Sequence, residues 1–189
     1  MKASQIVDLL CTSSGHNGEP KRQITQNAAI SEIITALQIA EDAHTRQILC
    51  DILGELRTRE AVSVLLMCLD DVDIRVRSSA ADSLAKIGDA TAGPALFEHY
   101  LHIEKEPPVK RMLAAALGAV KYESAIPSLI RDLTDMDGSL RGTAAWSLGN
   151  LKAVEALQAL NDALERETLS YARERMQEAV AIIEKHVDK

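Results

Sequence analysis

Residues 137–151 read Asp137-Gly-Ser-Leu-Arg-Gly-Thr-Ala-Ala-Trp-Ser-Leu-Gly-Asn-Leu151, and much of this pattern recurs along the chain. In each copy a basic residue is followed by small and aliphatic residues at helical spacing. The basic positions are Arg46, Arg77, Lys110, Arg141 and Arg173, separated by 31, 33, 31 and 32 residues. A fixed period of this size is typical of stacked helical repeats.

The composition agrees with a helical fold. Aromatic residues make up only 3% of the 189 residues, while 47% are hydrophobic. Small and aliphatic residues suit close helix packing, and the low aromatic content does not suit a β-sandwich. The expected fold class is therefore all-α, an α-solenoid of stacked antiparallel helix pairs.

We expect one domain, residues 1–189, in three parts. Residues 1–42 form an atypical N-terminal unit, in which residues 12–22 are polar and rich in turn formers and predict an exposed loop. A helix is expected from about Gln23 to Ala40. Residues 43–168 hold four full repeats, and residues 169–189 a polar capping helix whose outer face meets water.

An acid lies four residues before the basic position in four copies, as in Asp137 and Arg141. At that place it can cap the helix and meet the cation one turn later. We interpret these charges as a structural ladder between repeats. A charged binding strip is the alternative.

At this point the chain resembles the short HEAT-like repeats found in phycobilisome (phycocyanobilin) lyase subunits and in many bacterial scaffold proteins. The resemblance covers about Ala43 to Lys189. It depends on the patterns Asp73-x-x-x-Arg77-x-x-Ala80-Ala81-x-x-Leu84 and Asp137-x-x-x-Arg141-x-x-Ala144-Ala145-x-x-Leu148-Gly149. These patterns are specific for the fold and unspecific for function.

The resemblance implies that the second helix of each repeat, the B helix, lines a concave surface used for partner binding. Aligning the repeats predicts exposed B-helix positions that are apolar near the N-terminus and charged from Glu98 onward. The candidate partner-binding residues there are Ile39, Val64, Met67, Glu98, His99, His102, Arg131, Asp132, Asp135 and Asp162. The apolar positions suggest a contact patch, or a surface that the 12–22 loop covers.

Trp146 is a further candidate, because it is the one tryptophan and departs from the repeat. It can anchor a partner as an aromatic hot spot, or it can cover a turn beside Tyr122 or Tyr171. His99 and His102, next to Glu98, resemble part of a metal site. Two ligands do not make a site, and a solvated helix face is the preferred interpretation.

The remaining features predict no cofactor, metal or membrane segment. No apolar run approaches the roughly 20 residues that span a bilayer, and the start lacks a signal-peptide core, so we expect a cytoplasmic protein. The formal charge of −7 argues against nucleic acid as a partner. It favours a protein partner with a basic surface. Oligomeric state is not predicted.

The sequence thus predicts a non-enzymatic scaffold or adaptor that binds another protein on its B-helix face. One alternative is a regulatory or lyase-type subunit acting on a chromoprotein, although no residue is assigned to chromophore handling. Another is an acidic immunity-type inhibitor of a basic toxin. Catalytic residues are not predicted in any part of the chain.

Overall fold

The computed structural model describes residues 1–12, 19–102 and 106–188. Within these ranges the chain forms twelve α-helices and no β-strand. It comprises two compact units, Met1–Asp89 and Ala90–Lys189. Across the described ranges, none of the helices has the length and apolar character needed to traverse a lipid bilayer.

The N-terminal unit contains six α-helices and short 3₁₀ turns on either side of the fifth. The helices are α1 (Ala3–Thr12), α2 (Glu19–Asn27), α3 (Ile30–Ile39), α4 (Ala43–Leu56), α5 (Val62–Met67) and α6 (Ile74–Ile87). The main contact is between α4 and α6, and α3 and α5 pack against α4 and α6 respectively. Fully buried aliphatic side chains such as Ile33, Leu49 and Leu84 fill the core.

The C-terminal unit repeats this arrangement. Its helices are α7 (Gly93–His102), α8 (Pro107–Ala119), α9 (Ile126–Asp132), α10 (Gly138–Leu151), α11 (Leu157–Arg166) and α12 (Ser170–Val187). Helix α10 lies between α8 and α12 and also contacts α9, while α11 packs on α12. Leu113, Leu148 and Met176 are among its buried core residues.

Aspartates set the starts of three long helices. The side chain of Asp42 accepts a hydrogen bond from the Thr45 amide at 2.9 Å, and Asp73 and Asp137 cap α6 and α10 in the same way. An aspartate at this position satisfies an amide that the first helical turn leaves without a partner. Glu106, the fourth acid of the set, makes no capping hydrogen bond to α8.

Arg46 and Arg141 do not form the predicted ion pair with the acid four residues earlier. Arg46 instead pairs with Asp71, and Arg141 with Glu167, at 2.7 Å and 2.6 Å. Each partner acid follows its arginine by 25 or 26 residues and lies at the turn into the next repeat. Capping does not exclude an ion pair, since the capping Asp137 also accepts a hydrogen bond from Nη1 of Arg111 at 2.7 Å.

The predicted 12–22 loop is too long. Helix α2 begins at Glu19, so residues 19–22 are helical, while residues 13–18 lie outside the described residues. Proline favours the first turn of a helix because it has no amide hydrogen to lose there, and Pro20 occupies that turn. The helix predicted from Gln23 to Ala40 is in fact two helices, interrupted between Asn27 and Ile30.

Candidate functional site

The apolar candidates of the N-terminal unit separate into two groups. Ile39 and Met67 are 51% and 69% exposed, as a contact patch requires. Val64 is only 5% exposed, so its prediction as a surface residue is wrong. The 3₁₀ turns Arg59–Ala61 and Cys68–Asp70 flank α5. Val64 directly precedes the fully buried Leu65, and Ser128 is likewise buried directly before the fully buried Leu129.

The α7 candidates lie on a solvated helix surface. Glu98 and His102 are exposed, His99 is partly buried, and Nδ1 of His102 lies 2.7 Å from the carbonyl oxygen of Glu98. Nowhere in residues 1–12, 19–102 and 106–188 do three or more His, Cys, Asp or Glu side chains form a group that could hold a metal ion.

Asp132 belongs to the core, which contradicts its prediction as a docking residue. Its side chain accepts hydrogen bonds from the hydroxyl of Tyr100 and, at 3.0 Å, from Nζ of Lys110. Only 4% of the residue is exposed. Burial raises the pKa of Tyr100, and the hydrogen bond to Asp132 raises it further, so the phenol remains a donor. The Asp132 carboxylate therefore has its hydrogen-bond partners within the fold.

The other charged candidates of the B helices meet at one groove in the C-terminal unit. The groove has a volume of about 480 Å³ and lies between the end of α9 and α11. It brings together the predicted residues Arg131, Asp135 and Asp162.

The floor of the groove is apolar and its rim is polar. Leu133 is buried, and Ala159 and Ala163 are partly buried, while Arg131 and Asp162 are exposed. The lining also contains Ile130, Thr134, Arg141, Arg166, Glu167 and Thr168. An apolar floor with a few polar groups is the usual form of a protein's ligand-binding cleft.

An ion pair between Arg141 and the buried Glu167 forms part of the groove lining. Nε and Nη2 of Arg141 donate to the two carboxylate oxygens of Glu167 at 2.6 Å and 2.8 Å. The guanidinium lowers the pKa of Glu167 to about 2, despite the opposing effect of burial. Glu167 is consequently ionised at neutral pH, and its charge is neutralised within the fold.

Arg166, Thr134 and Thr168 line this groove but were absent from the set of candidates. Arg166 shares its repeat position with Asp135 and His102, so the same alignment could have included it. The two threonines lie in the turns that follow α9 and α11, where a helical period gives no signal.

Trp146 lies at a second and smaller cavity. It is partly buried on α10 and faces a space of about 320 Å³ that α12 borders with Arg175, Glu178 and Ile182. Ile182 is exposed. Tyr171, one of the two residues expected to accompany Trp146, stacks instead on Arg175, whose guanidinium carbon is 5.6 Å from the ring centroid.

Comparison with known proteins gives a curated relative from a cyanobacterium. Phycocyanobilin lyase subunit alpha of Nostoc sp. (strain PCC 7120 / SAG 25.82 / UTEX 2576) is 32% identical over 123 residues. The match covers 57% of this chain and 45% of the relative. The chain thus spans less than half the length of that relative.

Solved structures of helical repeat proteins resemble nearly the whole chain. The complex of CpcE and CpcF of phycocyanin lyase from Nostoc sp. PCC7120 matches with a TM-score of 0.55 and 21% identity, covering 97% of this chain and 95% of that chain. A designed armadillo repeat protein in complex with the peptide (KR)4 matches with a TM-score of 0.65 and 18% identity, covering 95% and 92%. At these identities the likeness concerns the fold, and it confirms the predicted all-α, α-solenoid class.

A family model described as HEAT repeats matches residues 30–106 and 100–181. These ranges include all five of the recurring basic positions. The suspected resemblance is confirmed: the chain belongs to the HEAT repeat family.

Proposed function

We propose that this chain is a non-enzymatic protein-binding subunit that docks a partner in the groove between α9 and α11. The observation that carries the proposal is the groove itself, an apolar floor about 480 Å³ in volume with charged residues on its rim. Protein interfaces commonly combine an apolar centre with a polar rim. The groove is formed by the B helices α9 and α11, the part of the repeat expected to bind partners, together with their following turns and Arg141 of α10.

Other predicted partner-binding residues lie outside this groove, in both units. Ile39 and Met67 offer exposed apolar surface in the N-terminal unit. Glu98, His99 and His102 offer polar surface on α7, and Trp146 offers a partly buried aromatic ring on α10. We propose these as secondary contacts, since a few residues usually carry most of the binding energy of an interface.

The domain organisation also belongs to this proposal. Residues 1–42 would be an atypical first unit, 43–168 four full repeats, and 169–189 a cap, all in one HEAT-like domain.

We place the protein in the cytoplasm. The formal charge of −7 supports a partner with a basic surface away from the groove.

Affinity capture with a blocked groove tests the docking surface. Ala163→Arg places a long charged side chain on the groove floor, while Asn161→Arg puts the same side chain on the exposed side of α11 as a matched control. Both proteins, and the wild type, are used to capture partners from cells that produce the protein naturally. We expect one stoichiometric protein to be retained by the wild type and the control and lost with Ala163→Arg.

Two results would contradict the proposal. If only a metal or a small molecule copurifies with the wild type, the protein-binding function fails. If Ala163→Arg retains the same partner with unchanged affinity, the groove is not the docking surface. Equal thermal melting of the two variants shows that the comparison concerns binding and not folding.

A second candidate is a lyase-type subunit that acts on a chromoprotein. The observation in its favour is the 32% identity to phycocyanobilin lyase subunit alpha, over less than half of that relative. This candidate predicts that purified protein changes the absorption spectrum of added phycocyanobilin, whereas the adaptor alone leaves the spectrum unchanged. A saturable spectral shift that Ala163→Arg abolishes would favour the lyase-type subunit.

A further inference from the structure

The exposed apolar side chains of the N-terminal unit are gathered where its B helices end. Among the residues described in this unit, the large apolar side chains that are exposed are Ile39, Met67, Val72 and Ile74. Ile39 and Met67 are the last residues of α3 and α5, Val72 lies in the turn after α5, and Ile74 begins α6. We call these four residues the turn patch.

The repeated arginine holds the two sides of the turn patch together. Nη1 of Arg46 donates to the backbone oxygen of Ala40, directly after Ile39, at 3.3 Å. Its Nε and Nη2 donate to the carboxylate of Asp71, directly before Val72, at 2.7 Å and 2.9 Å. The ends of α3 and α5 therefore lie side by side, with one guanidinium between them.

Repeat packing does not require apolar side chains at this place. The repeat positions that correspond to Met67 carry Glu98, Arg131 and Asp162, which are all charged and exposed. Residues 13–18, which lie outside the described ranges, read Ser-Ser-Gly-His-Asn-Gly and contain no aliphatic side chain that would match the patch. An exposed apolar patch of this kind marks an interaction surface.

Acids outnumber cations around the turn patch. The residues counted are those of the two turns and of the first helical turn that follows each, 40–46 and 70–77, with histidine taken as neutral. Five carboxylates stand there against three guanidiniums, those of Arg46, Arg75 and Arg77. The acids are Glu41, Asp42, Asp70, Asp71 and Asp73. The excess is two negative charges.

Two of these acids, next to Ile39, are not neutralised within the fold. The carboxylate of Glu41 is exposed and makes no hydrogen bond or ion pair with any residue in the ranges 1–12, 19–102 and 106–188. Asp42 is exposed and accepts hydrogen bonds from the Thr45 amide at 2.9 Å and the Cys11 thiol at 3.4 Å, which are both neutral donors. Both acids can therefore meet a cation supplied by a partner.

This combination selects one class of occupant. Aliphatic side chains fit the apolar residues, and Lys or Arg side chains fit the acids beside them. Nucleic acid and the anionic surface of a membrane would be repelled by the acids. A second copy of the chain would bring its own net charge of −7 and fits poorly for the same reason.

We infer that the turn patch receives a basic amphipathic segment of the partner protein. Its aliphatic side chains would lie on Ile39, Met67 and Val72, and its Lys or Arg side chains would meet Glu41 and Asp42. The inference rests on the proposed protein-binding function, and it gives the basic partner favoured by the net charge a docking surface in the N-terminal unit.

Three labelled peptides of about 14 residues test the inference by fluorescence anisotropy. One places Leu on one helical face and Lys on the other; the second has Glu in place of Lys, and the third has Ser in place of Leu. The apolar variant is Met67→Ser with Val72→Ser. The charge variant is Glu41→Gln with Asp42→Asn, in which asparagine still caps α4.

Glu123→Gln with Glu155→Gln is the matched control, since it removes two exposed acids from the C-terminal unit. It separates docking at the turn patch from general attraction between a cationic peptide and an acidic protein. Thermal melting checks that every variant is folded, which we expect because all the substituted side chains are exposed.

The Leu–Lys peptide should bind the wild type and the control more tightly than either other peptide binds. The apolar variant should weaken its binding at least about ten-fold, since burial of a methionine and a valine is lost. The charge variant should weaken it at least about three-fold, and added salt should reduce this difference. No binding, equal binding of the Leu–Glu or Ser–Lys peptide, unchanged binding by the variants, or an equal loss with the control would each overturn the inference.

Affinity capture separates this inference from the function on which it rests. If no protein partner is captured by the wild type, the proposed function fails. If a partner is captured and is lost with Ala163→Arg, but binds the Met67→Ser and Val72→Ser variant as tightly as the wild type, the proposed function stands and the turn patch is not a docking surface.

Discussion

Arg141 holds the carboxylate of Glu167 through two parallel hydrogen bonds, 26 residues away in sequence. Its remaining nitrogen, Nη1, donates to the backbone oxygens of Asp135 and Met136 at 2.8 Å and 3.3 Å. One guanidinium thus joins the turn before its own helix to the turn that follows the next helix. The repeated arginine is a connection between consecutive repeats.

The N-terminal unit contains the same connection. Arg46 donates to both carboxylate oxygens of Asp71 at 2.7 Å and 2.9 Å, and its Nη1 donates to the backbone of Ala40 and Glu41. The guanidinium of Arg46 lowers the pKa of Asp71. Two independent sites share this geometry. The ion pair therefore explains why the basic residue recurs, and no role in partner binding is needed to explain it.

Arg141→Gln should therefore destabilise the fold. The variant leaves the carboxylate of Glu167, whose side chain is 1% exposed, without its cation. Removing one partner of a buried pair costs about 3–5 kcal/mol, and the partial exposure of Arg141 reduces this to about 3 kcal/mol. Chemical denaturation at pH 7 measures the loss.

Lys86→Gln is the matched control for this measurement. Lys86 forms an ion pair with Asp82 one helical turn earlier at 2.7 Å, and both side chains are more than a third exposed. Surface pairs of this kind contribute less than about 0.5 kcal/mol. Equal destabilisation by the two variants would show that the Arg141 pair does not connect the repeats.

The same pair predicts a dependence of stability on pH. The pKa of Glu167 is about 2 in the fold, against an ordinary value of 4.5. Between these values the unfolded chain binds more protons than the folded one, so the contribution is complete above about pH 4.5 and is lost as the pH falls towards 2.

Comparing the wild type with Glu167→Gln isolates this contribution. From pH 5 to pH 2.5 the free energy of unfolding of the wild type should fall by roughly 2–3 kcal/mol more than that of the variant. Other carboxylates with a lowered pKa, such as Asp71, affect both proteins equally. Parallel pH curves for the two proteins would mean that Glu167 titrates normally.

The repeat period predicted the fold because the features that recur are related by spacings of a few residues along one helix. The capping aspartates and the apolar stripe are separated by three or four residues, so helical geometry alone relates them. The partner of Arg141 could not be predicted in this way. Glu167 is on the next repeat, and its contact with Arg141 depends on how consecutive repeats stack, which a local helical period does not specify.

Only some of the residues that line the groove were predicted from the sequence. Arg131, Asp135 and Asp162 were identified by aligning B helices, and they do line one groove. Asp132 was misplaced because it lies three residues after the fully buried Leu129, on the same side of the helix, and Val64 because it directly precedes the fully buried Leu65.

Close approach of α8 and α10 gives a third prediction. A Cβ atom added at Gly118 would lie 2.7 Å from Cα of Ser147, whose hydroxyl donates to the carbonyl oxygen of Ala114 at 2.8 Å. Because the obstructing atom is backbone, the helices must separate. Gly118→Ala should cost roughly 1–3 kcal/mol, as overpacking of a core does.

Gly138→Ala is the control for the glycine at the helix contact. The added Cβ would meet Cδ2 of Leu169 at 2.7 Å, at the end of a flexible side chain, and Nη2 of Arg141 at 3.1 Å, a contact that a shift of about a few tenths of an ångström relieves. We expect a clearly smaller loss, since those atoms can move aside. A loss for Gly118→Ala no greater than the control's would show that the close contact of α8 and α10 is not required.

Asp132 and Glu98 give the last prediction, because alignment of the repeats treated both as docking residues. Asp132→Lys would place a second ammonium beside Lys110 and remove the acceptor of the Tyr100 hydroxyl. The expected loss is about 3–5 kcal/mol, as for other broken buried pairs. Glu98→Lys changes an exposed side chain and should alter the free energy of unfolding by less than about 0.5 kcal/mol.

Denaturation and partner capture on the same two variants distinguish a core residue from a docking residue. Asp132→Asn keeps the shape and one acceptor, so it should lose less stability than Asp132→Lys while binding the partner normally. If Asp132→Lys folds with wild-type stability and loses the partner, Asp132 is a contact residue and its burial is not needed for the fold. If Asp132→Lys loses stability and Asp132→Asn keeps the partner, Asp132 acts only through its bonds to Tyr100 and Lys110.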